Sequence, residues 1–410
     1  MPKFRIMQKL VDRVNLVARE MLTGLPVIRA FDRQDFESAR FDKASTDLMR
    51  TQLFTNRVMT FMMPAMMLIM NGVSVLIVWV GGGYIDDGTI QTGDMIAFIT
   101  YSMVIIMSFL IIGMISIMLP RADVAAARVD EVLGTESSIH DPAHPRDAEL
   151  PSSGGAQVAF HDVSFAYADS DAEGAEPVLQ HIDFVAEPGK TCAVVGSTGS
   201  GKSTVVKLVE RFYDATEGSV TVDGIDVRDL SQKALRRAVG FVPQKAFLFS
   251  GTIGSNIAYA DEDMPDERIV RAAEIAQAGE FIDAKPEGYA SPIAQGGTNV
   301  SGGQRQRLCI ARAIASDARV LVFDDSFSAL DYKTDSALRL ALAREIGDRT
   351  VIIVAQRIST IMDADQIIVL DDGRMVGKGT HAELMESCEE YREIAYSQLS
   401  EEELRGGDAA

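Results

Sequence analysis

The sequence predicts a chain of two parts: an α-helical segment with two membrane spans and cytoplasmic helical extensions, then an α/β domain built around a glycine-rich loop. Three observations carry this reading. Val58–Gly83 and Met95–Leu119 are nearly free of charge, and each is long enough to cross a hydrocarbon layer of about 30 Å at about 1.5 Å per residue. From Ala156 onward the pattern changes to short apolar runs alternating with amphipathic stretches. Within that region the run Gly196–Ser203, GSTGSGKS, lies between a buried strand and a helix.

Taken in order, residues 1–133 read as the membrane part. Residues 1–57 are polar and helical, with a break at Gly24-Leu25-Pro26 where one helix ends and another begins. They carry an excess of basic residues, among them Lys3, Arg5, Lys9, Arg13 and Arg19, whereas Tyr84–Gly93 between the spans holds Asp86 and Asp87 and no basic residue. The positive-inside rule then puts both ends of the chain in the cytoplasm and the short loop outside, a multi-pass protein of the cell membrane. Two buried helices of a soluble core are disfavoured, because soluble helices of this length rarely lack a polar face. The first span starts too late and is too long to read as a signal peptide.

Residues 134–155, rich in Pro, Ser, Asp and Gly, read as a linker. Residues 156–400 form the α/β domain, and 401–410 an acidic frayed tail. Val163, Phe165 and Tyr167 alternate as in a strand; Thr191–Val195, Val320–Phe323 and Thr350–Ala355 read as buried strands, and Lys202–Tyr213 as a helix. A net charge of −20 argues against a nucleic-acid partner. Cys192, Cys309 and Cys388 are far apart and read as ordinary reduced thiols.

Gly196, Ser197, Thr198, Gly199, Ser200, Gly201, Lys202 and Ser203, followed by Thr204, match the P-loop pattern in full. Glycines let backbone N–H groups turn inward around phosphate oxygens, and the helix starting at Lys202 points its positive end at the same anion. Lys202 can reach the β- and γ-phosphates, and Ser203 offers a hydroxyl to Mg²⁺. Leu321-Val322-Phe323-Asp324 is a strand ending in a carboxylate suited to hold that ion. Gly196, Asp324 and Gln356 each follow a buried strand, so they can gather at one edge of a sheet. ATP with Mg²⁺ is the expected ligand.

Val300-Ser301-Gly302-Gly303-Gln304 follows the P-loop by about a hundred residues. Alone, SGGQ would be read as a helix N-cap with two glycines. With the flanking motifs it resembles the signature of ATP-binding-cassette (ABC) ATPases, although Val300 stands where that family usually has Leu. The fold expected is thus an α-helical transmembrane segment plus an α/β P-loop ABC ATPase domain. By this resemblance Tyr167 is the aromatic on which adenine stacks, Gln244 links metal and water to the membrane part, and Ser328–Asp331 is the D-loop. The family pairs two nucleotide domains head to tail, so Ser301, Gly302, Gly303, Gln304 and Asp331 are expected to face an ATP held by a second half-transporter. Residues 20–42 resemble an intracellular loop of ABC exporters, with its coupling helix near Val27–Asp32, and the spans resemble the fifth and sixth of six. The four preceding spans are expected outside this sequence.

Two positions depart from the family. Asp325 stands where a general-base Glu is usual, shorter by about 1.5 Å, and misplacement of about 1 Å can cost about a hundredfold in rate. Gln356 stands at the switch histidine; an amide can donate a hydrogen bond but cannot carry charge. None of the five histidines can replace it by a one-residue slip. The combination resembles the degenerate half of a heterodimeric exporter, with weak hydrolysis expected at the chain's own site.

Met59, Met62, Met63, Met66, Met67 and Met70 in the first span, and Met103, Met107, Met114 and Met118 in the second, recur at helical spacing. Met suits adaptable apolar surfaces; helix packing or contact with membrane lipid is the favoured account of this stripe, and a pocket for a small hydrophobic molecule or lipid, the substrate class expected, is the other. The alternatives are a non-transporting ATP-binding regulator, an importer on an exporter-like scaffold, and a soluble ATPase of DNA repair, the last disfavoured by the spans and the acidic charge.

Overall fold

A computed structural model describes residues 2–167, 177–345 and 347–399. The acidic tail expected at 401–410 lies outside the described residues. The chain divides into two compact units, residues 1–136 and 137–410.

The first unit is entirely helical. Helix α1 (Pro2–Thr23) stops at Gly24, and α2 (Leu25–Ala30) begins there with Pro26 in its first turn, where the missing N–H costs nothing. Two long helices follow, α3 (Gln34–Asp86, 53 residues) and α4 (Thr92–Leu133, 42 residues). Gln91 and Asp94 form a reciprocal capping box at the start of α4. Each long helix contains a strongly apolar window, and none of either window is buried within the unit. Trp79, Leu68 and Phe61 are among its most exposed side chains. The hydroxyls in these stretches are satisfied internally: Ser74, Thr100, Ser102 and Ser108 each donate to the carbonyl four residues earlier. Met62, Met63, Met67, Met103, Met107 and Met118 are exposed, while the side chains of Met59 and Met114 lie outside the described set.

The second unit is built on a ten-stranded sheet. In chain order its elements are β1 (Val158–Phe165), β2 (Leu179–Ala186), β3 (Thr191–Gly196), α5 (Lys202–Val209), β4 (Glu217–Val222), β5 (Ile225–Asp226), α6 (Gln232–Ala238) and β6 (Val239–Val242). A helical insertion follows, in which β7 (Gly251–Thr252) pairs with β8 (Pro292–Ile293) around α7 (Ile253–Ile257), α8 (Asp266–Ile275) and α9 (Gly279–Asp283). Then come α10 (Gly302–Ala315), β9 (Val320–Asp324), α11 (Tyr332–Glu345), β10 (Thr350–Val354), β11 (Gln366–Asp371), β12 (Arg374–Gly379), α12 (His381–Ser387) and α13 (Glu389–Gln398). The sheet order is β5-β4-β1-β2-β12-β11-β3-β10-β9-β6. Strands β11, β3, β10, β9 and β6 run parallel, and β5, β4, β1 and β2 form an antiparallel wing.

The period of two along each central strand divides the core. Cys192, Val194, Val320, Val322, Ile352 and Val354 pack on one face of the sheet. Ala193, Val195, Leu321, Phe323, Val351 and Ile353 pack on the other. Both faces are covered, which is why these strands read as continuous apolar runs.

Three sequence expectations shift. The helix expected over Lys202–Tyr213 ends at Val209, because Arg211 takes a left-handed conformation (φ 49°) and its guanidinium binds Asp214. The strand expected to include Tyr167 ends at Phe165. The stretch 134–155, read as a linker, is held to the second unit from Ser137 on: Ile139 is buried, and a short 3₁₀ turn forms at Asp147–Glu149.

Phe184 is fully buried and stacks on Phe160 with ring centroids 4.6 Å apart. Phe184→Ala should cost about 3–5 kcal/mol of domain stability. A thermal melt of the purified protein should shift down accordingly.

Candidate functional site

The parallel strands deliver the site. β3 pairs with β10, and β10 with β9, in a register that sets Val354 beside both Val194 and Asp324. The loops leaving these strands therefore emerge side by side at their carboxyl ends.

The loop after β3 turns on Gly199 (φ 89°) and Gly201 (φ 95°), left-handed positions suited to glycine. A Cβ at Gly201 would also stand 2.5 Å from Leu179 Cδ2. Lys202 opens α5 and is nearly buried; its Nζ donates to the carbonyls of Gly196 (2.8 Å) and Ser197 (2.6 Å). Burial holds its ammonium below the ordinary lysine pKa, opposed by the charges of Asp325 and Asp324. Ser203 Oγ donates to Asp324 Oδ1 at 3.0 Å. Burial pushes the Asp324 carboxyl up, opposed by that hydrogen bond.

Asp325 is itself left-handed (φ 47°), and its N–H donates to the carbonyl of Val354 at 2.9 Å. Its Oδ2 accepts from two side-chain amides, Gln356 Nε2 at 2.9 Å and Gln244 Nε2 at 3.2 Å. Burial raises the Asp325 pKa, opposed first by the Gln244 bond and then by the charge of Lys202. Gln244 follows β6 and Gln356 follows β10, so one carboxylate oxygen joins the loops of two strands.

Tyr167 stands at the outer side of the same loop. Its hydroxyl lies 3.1 Å from that of Thr204 and accepts from Lys207 Nζ at 3.2 Å. Its ring meets Tyr213 edge-on at 5.0 Å. Lys207 was not among the residues expected from sequence. Its position at the centre of an otherwise apolar stretch, Val205-Val206-Lys207-Leu208-Val209, is the signal that could have found it.

Ser301 caps α10: its Oγ accepts from Gln304 N (3.2 Å), and Gln304 Oε1 accepts from Ser301 N (3.1 Å). Gly302 and Gly303 fill the first turn. A Cβ at Gly303 would sit 3.4 Å from the carbonyl of Ala329, so this helix start lies against the loop that ends at Asp331. Asp331 in turn accepts from Thr334 N at 3.0 Å. Among the described residues no hydrogen bond joins Ser301–Gln304 or Asp331 to the cluster of Lys202, Ser203, Gln244, Asp324, Asp325 and Gln356. The site residues thus form two groups on one chain.

A further contact was not expected. Gln398, at the end of α13, donates through Nε2 to the carbonyl of Gln356 (2.8 Å) and accepts through Oε1 from the N–H of Ile358 (2.9 Å). This one side chain grips the backbone on both sides of Arg357.

Comparison with known proteins agrees with this geometry. The family described as ABC transporter matches residues 179–328, and the ABC transporter transmembrane region matches residues 1–109. An uncharacterized ABC transporter ATP-binding protein of Mycobacterium tuberculosis is 44% identical over 402 residues, covering 97% of this chain and 68% of the relative. A Desulfotalea psychrophila protein described as an ATP-dependent lipid A-core flippase is 34% identical over 386 residues, covering 94% and 66%. Among solved structures, a bacterial Atm1-family ABC exporter with ATP bound superposes with a TM-score of 0.81 at 29% identity, covering 98% of this chain and 70% of that one. With a nucleotide-binding domain and a membrane region both matched, and a relative 44% identical over 97% of its own length, the chain belongs to the ABC transporter family, as an exporter-type half-transporter whose cytoplasmic ATPase domain couples ATP hydrolysis to transport.

Proposed function

We propose that this chain pairs with a different half-transporter, and that its own Lys202 site holds ATP longer than it hydrolyses it. The observation that carries the reading is the state of Asp325. A general base must reach the attacking water and keep a lone pair for its proton. The Asp325 carboxylate is one methylene short of the family's Glu, and its Oδ2 is shared by Gln244 and Gln356. Gln356 is uncharged, so it stabilises developing charge on a phosphate less than an imidazolium would.

The gripping apparatus is complete beside it. Lys202 and the loop amides suit the phosphates, and Tyr167 offers a ring to adenine. Ser203 Oγ and Asp324 Oδ1 present two hard oxygens 3.0 Å apart, which fits Mg²⁺, an ion bound through few protein ligands with phosphates and water supplying the rest. When bound, that ion neutralises charge on the phosphates during transfer. Binding depends on these groups and not on the base, so a weakened base leaves affinity largely intact.

Ser301, Gly302 and Gly303 at the head of α10 then serve the partner's nucleotide: a hydroxyl and the free N–H groups of a helix start suit a γ-phosphate. Their separation from the Lys202 cluster supports that division of labour. The heterodimer has one slow site and one fast one, and ATP in the slow site clamps the pair. The substrate is proposed to be hydrophobic or lipid-like. The exposed methionines of α3 and α4 support this, as does the relative named as a lipid A-core flippase.

The double change Asp325→Glu with Gln356→His should raise single-turnover cleavage at this site by about a hundredfold. It is read by rapid quench on an assembled pair whose partner site has been silenced. An unaltered rate would overturn the slow-site reading. Tyr167→Ala should weaken binding of a fluorescent ATP analogue about tenfold, as loss of one stacking platform implies, while Tyr167→Phe retains most of it.

A further inference from the structure

We infer that Gln398, on the last helix of the ATPase unit, is a positioning residue for ATP cleavage: it fixes the backbone from which the Gln356 amide reaches Asp325. The inference rests on the reading that Gln356 faces the γ-phosphate, and not on how fast the Lys202 site turns over.

β10 ends at Val354, and the next 3₁₀ turn begins at Ile358. Ala355 N still donates to the carbonyl of Val194 at 3.2 Å, so the chain stays on the sheet for one residue more. Gln356 and Arg357 then leave it, and both are exposed. Ile358 beyond them is fully buried, so its N–H must be paired inside the protein. Gln398 Oε1 accepts from that N–H, and Gln398 Nε2 donates to the carbonyl of Gln356. Among the described residues neither backbone group makes another hydrogen bond. The path of this loop is therefore set from α13.

α13 is a firm base for that task. Tyr391 and Ala395 are fully buried, and Gln398 follows them at the i, i+4, i+7 spacing of one helical stripe. Ile394 and Leu399 pack against the core that also holds Ile353 and Ile358. The Tyr391 hydroxyl lies 2.8 Å from His381 Nδ1, which ties α13 back to α12. Gln398 itself is exposed, at the end of the stripe. Glutamine suits this place because one amide carries both donors and an acceptor. Its two bonds reach the peptide groups before and after Arg357, so they hold two successive peptide planes. Both are made to main chain, so they persist whatever side chain stands at 356.

The consequence falls on Asp325. Its N–H is bonded to the carbonyl of Val354, so its backbone moves with the end of β10. The Gln356 amide that meets its carboxylate leaves from the loop beyond that strand. The loop's path thus sets the separation of the two groups. Gln356 has a long side chain, and a loop free to shift would spread its amide over many rotamers. Misplacement of about 1 Å near a reacting centre can cost about a hundredfold in rate. The contacts of Lys202 and Ser203 involve neither Gln398 nor this loop. Gln398 therefore bears on cleavage and not on affinity.

The test is a mutant cycle in the full chain, assembled in its pair with the partner's site silenced, and read by rapid quench of single-turnover ATP cleavage. Gln398→Leu should lower the rate about tenfold, as two lost hydrogen bonds allow, with affinity for a fluorescent ATP analogue unchanged. Placed on Gln356→Ala, the same change should cost less than about twofold, because no amide is left to aim. Placed on Asp325→Glu with Gln356→His, it should again cost about tenfold, since the clasp holds backbone. A comparable loss on Gln356→Ala would make Gln398 a support of the domain at large and overturn the inference. An unaltered rate on the parent chain, or a fall in affinity, would do the same. Gln398→Glu keeps the acceptor for Ile358 and loses the donor for Gln356. It should show the same pattern at about threefold, and it decides the matter where the leucine variant fails to assemble. Failure of the slow-site reading shows elsewhere: Asp325→Glu with Gln356→His then matches the parent, whereas each ratio that tests Gln398 is taken within one background.

Discussion

The alignment of β3, β10 and β9 is the constraint on which the ATPase unit depends. Backbone hydrogen bonds fix Val194, Val354 and Asp324 in one row, and side chains on both faces of the sheet are removed from water. A slip of one residue in any of these strands would turn every buried side chain to the other face and withdraw Asp324 from Ser203. The phosphate site is therefore a by-product of core packing: apolar alternation chooses the register, and the register brings the polar loops together. Nothing in the loops themselves would suffice to do so.

Within that frame burial and neighbouring charge oppose one another. Burial disfavours the ionised forms of Lys202, Asp324 and Asp325 alike, and each is opposed by its neighbours. Each of these buried ionisable groups already has a hydrogen-bond partner within the chain. The neutral amides of Gln244 and Gln356 add donors without adding charge, and this distinguishes the site from one carrying a histidine.

Much of this was readable from residues alone. The run GSTGSGKS, the strand ending at Asp324 and the two charge-free spans declare themselves because each is a local pattern imposed by local physics: glycine backbone freedom, alternation, and the thickness of a bilayer. What escaped reading was non-local. Arg211 ends α5 early to satisfy its guanidinium with acceptors contributed by His140 and Leu230, far away in sequence. Asp141 and Asp147 sit in a stretch whose composition says loop, and only the fold reveals that they cap α6. The sharing of one Asp325 oxygen by two glutamines depends on which strand neighbours which, something no linear motif specifies.

Gln398 gives the far end of the domain an unexpected reach. Its amide clasps the peptide groups on either side of Arg357, so the backbone carrying Gln356 is held to α13 as well as being continuous with β10. The same peptide carries the Gln356 side chain whose amide donates to Asp325, so α13 and the Asp325 carboxylate are two contacts apart. The last helix of the domain thus braces the loop that follows β10.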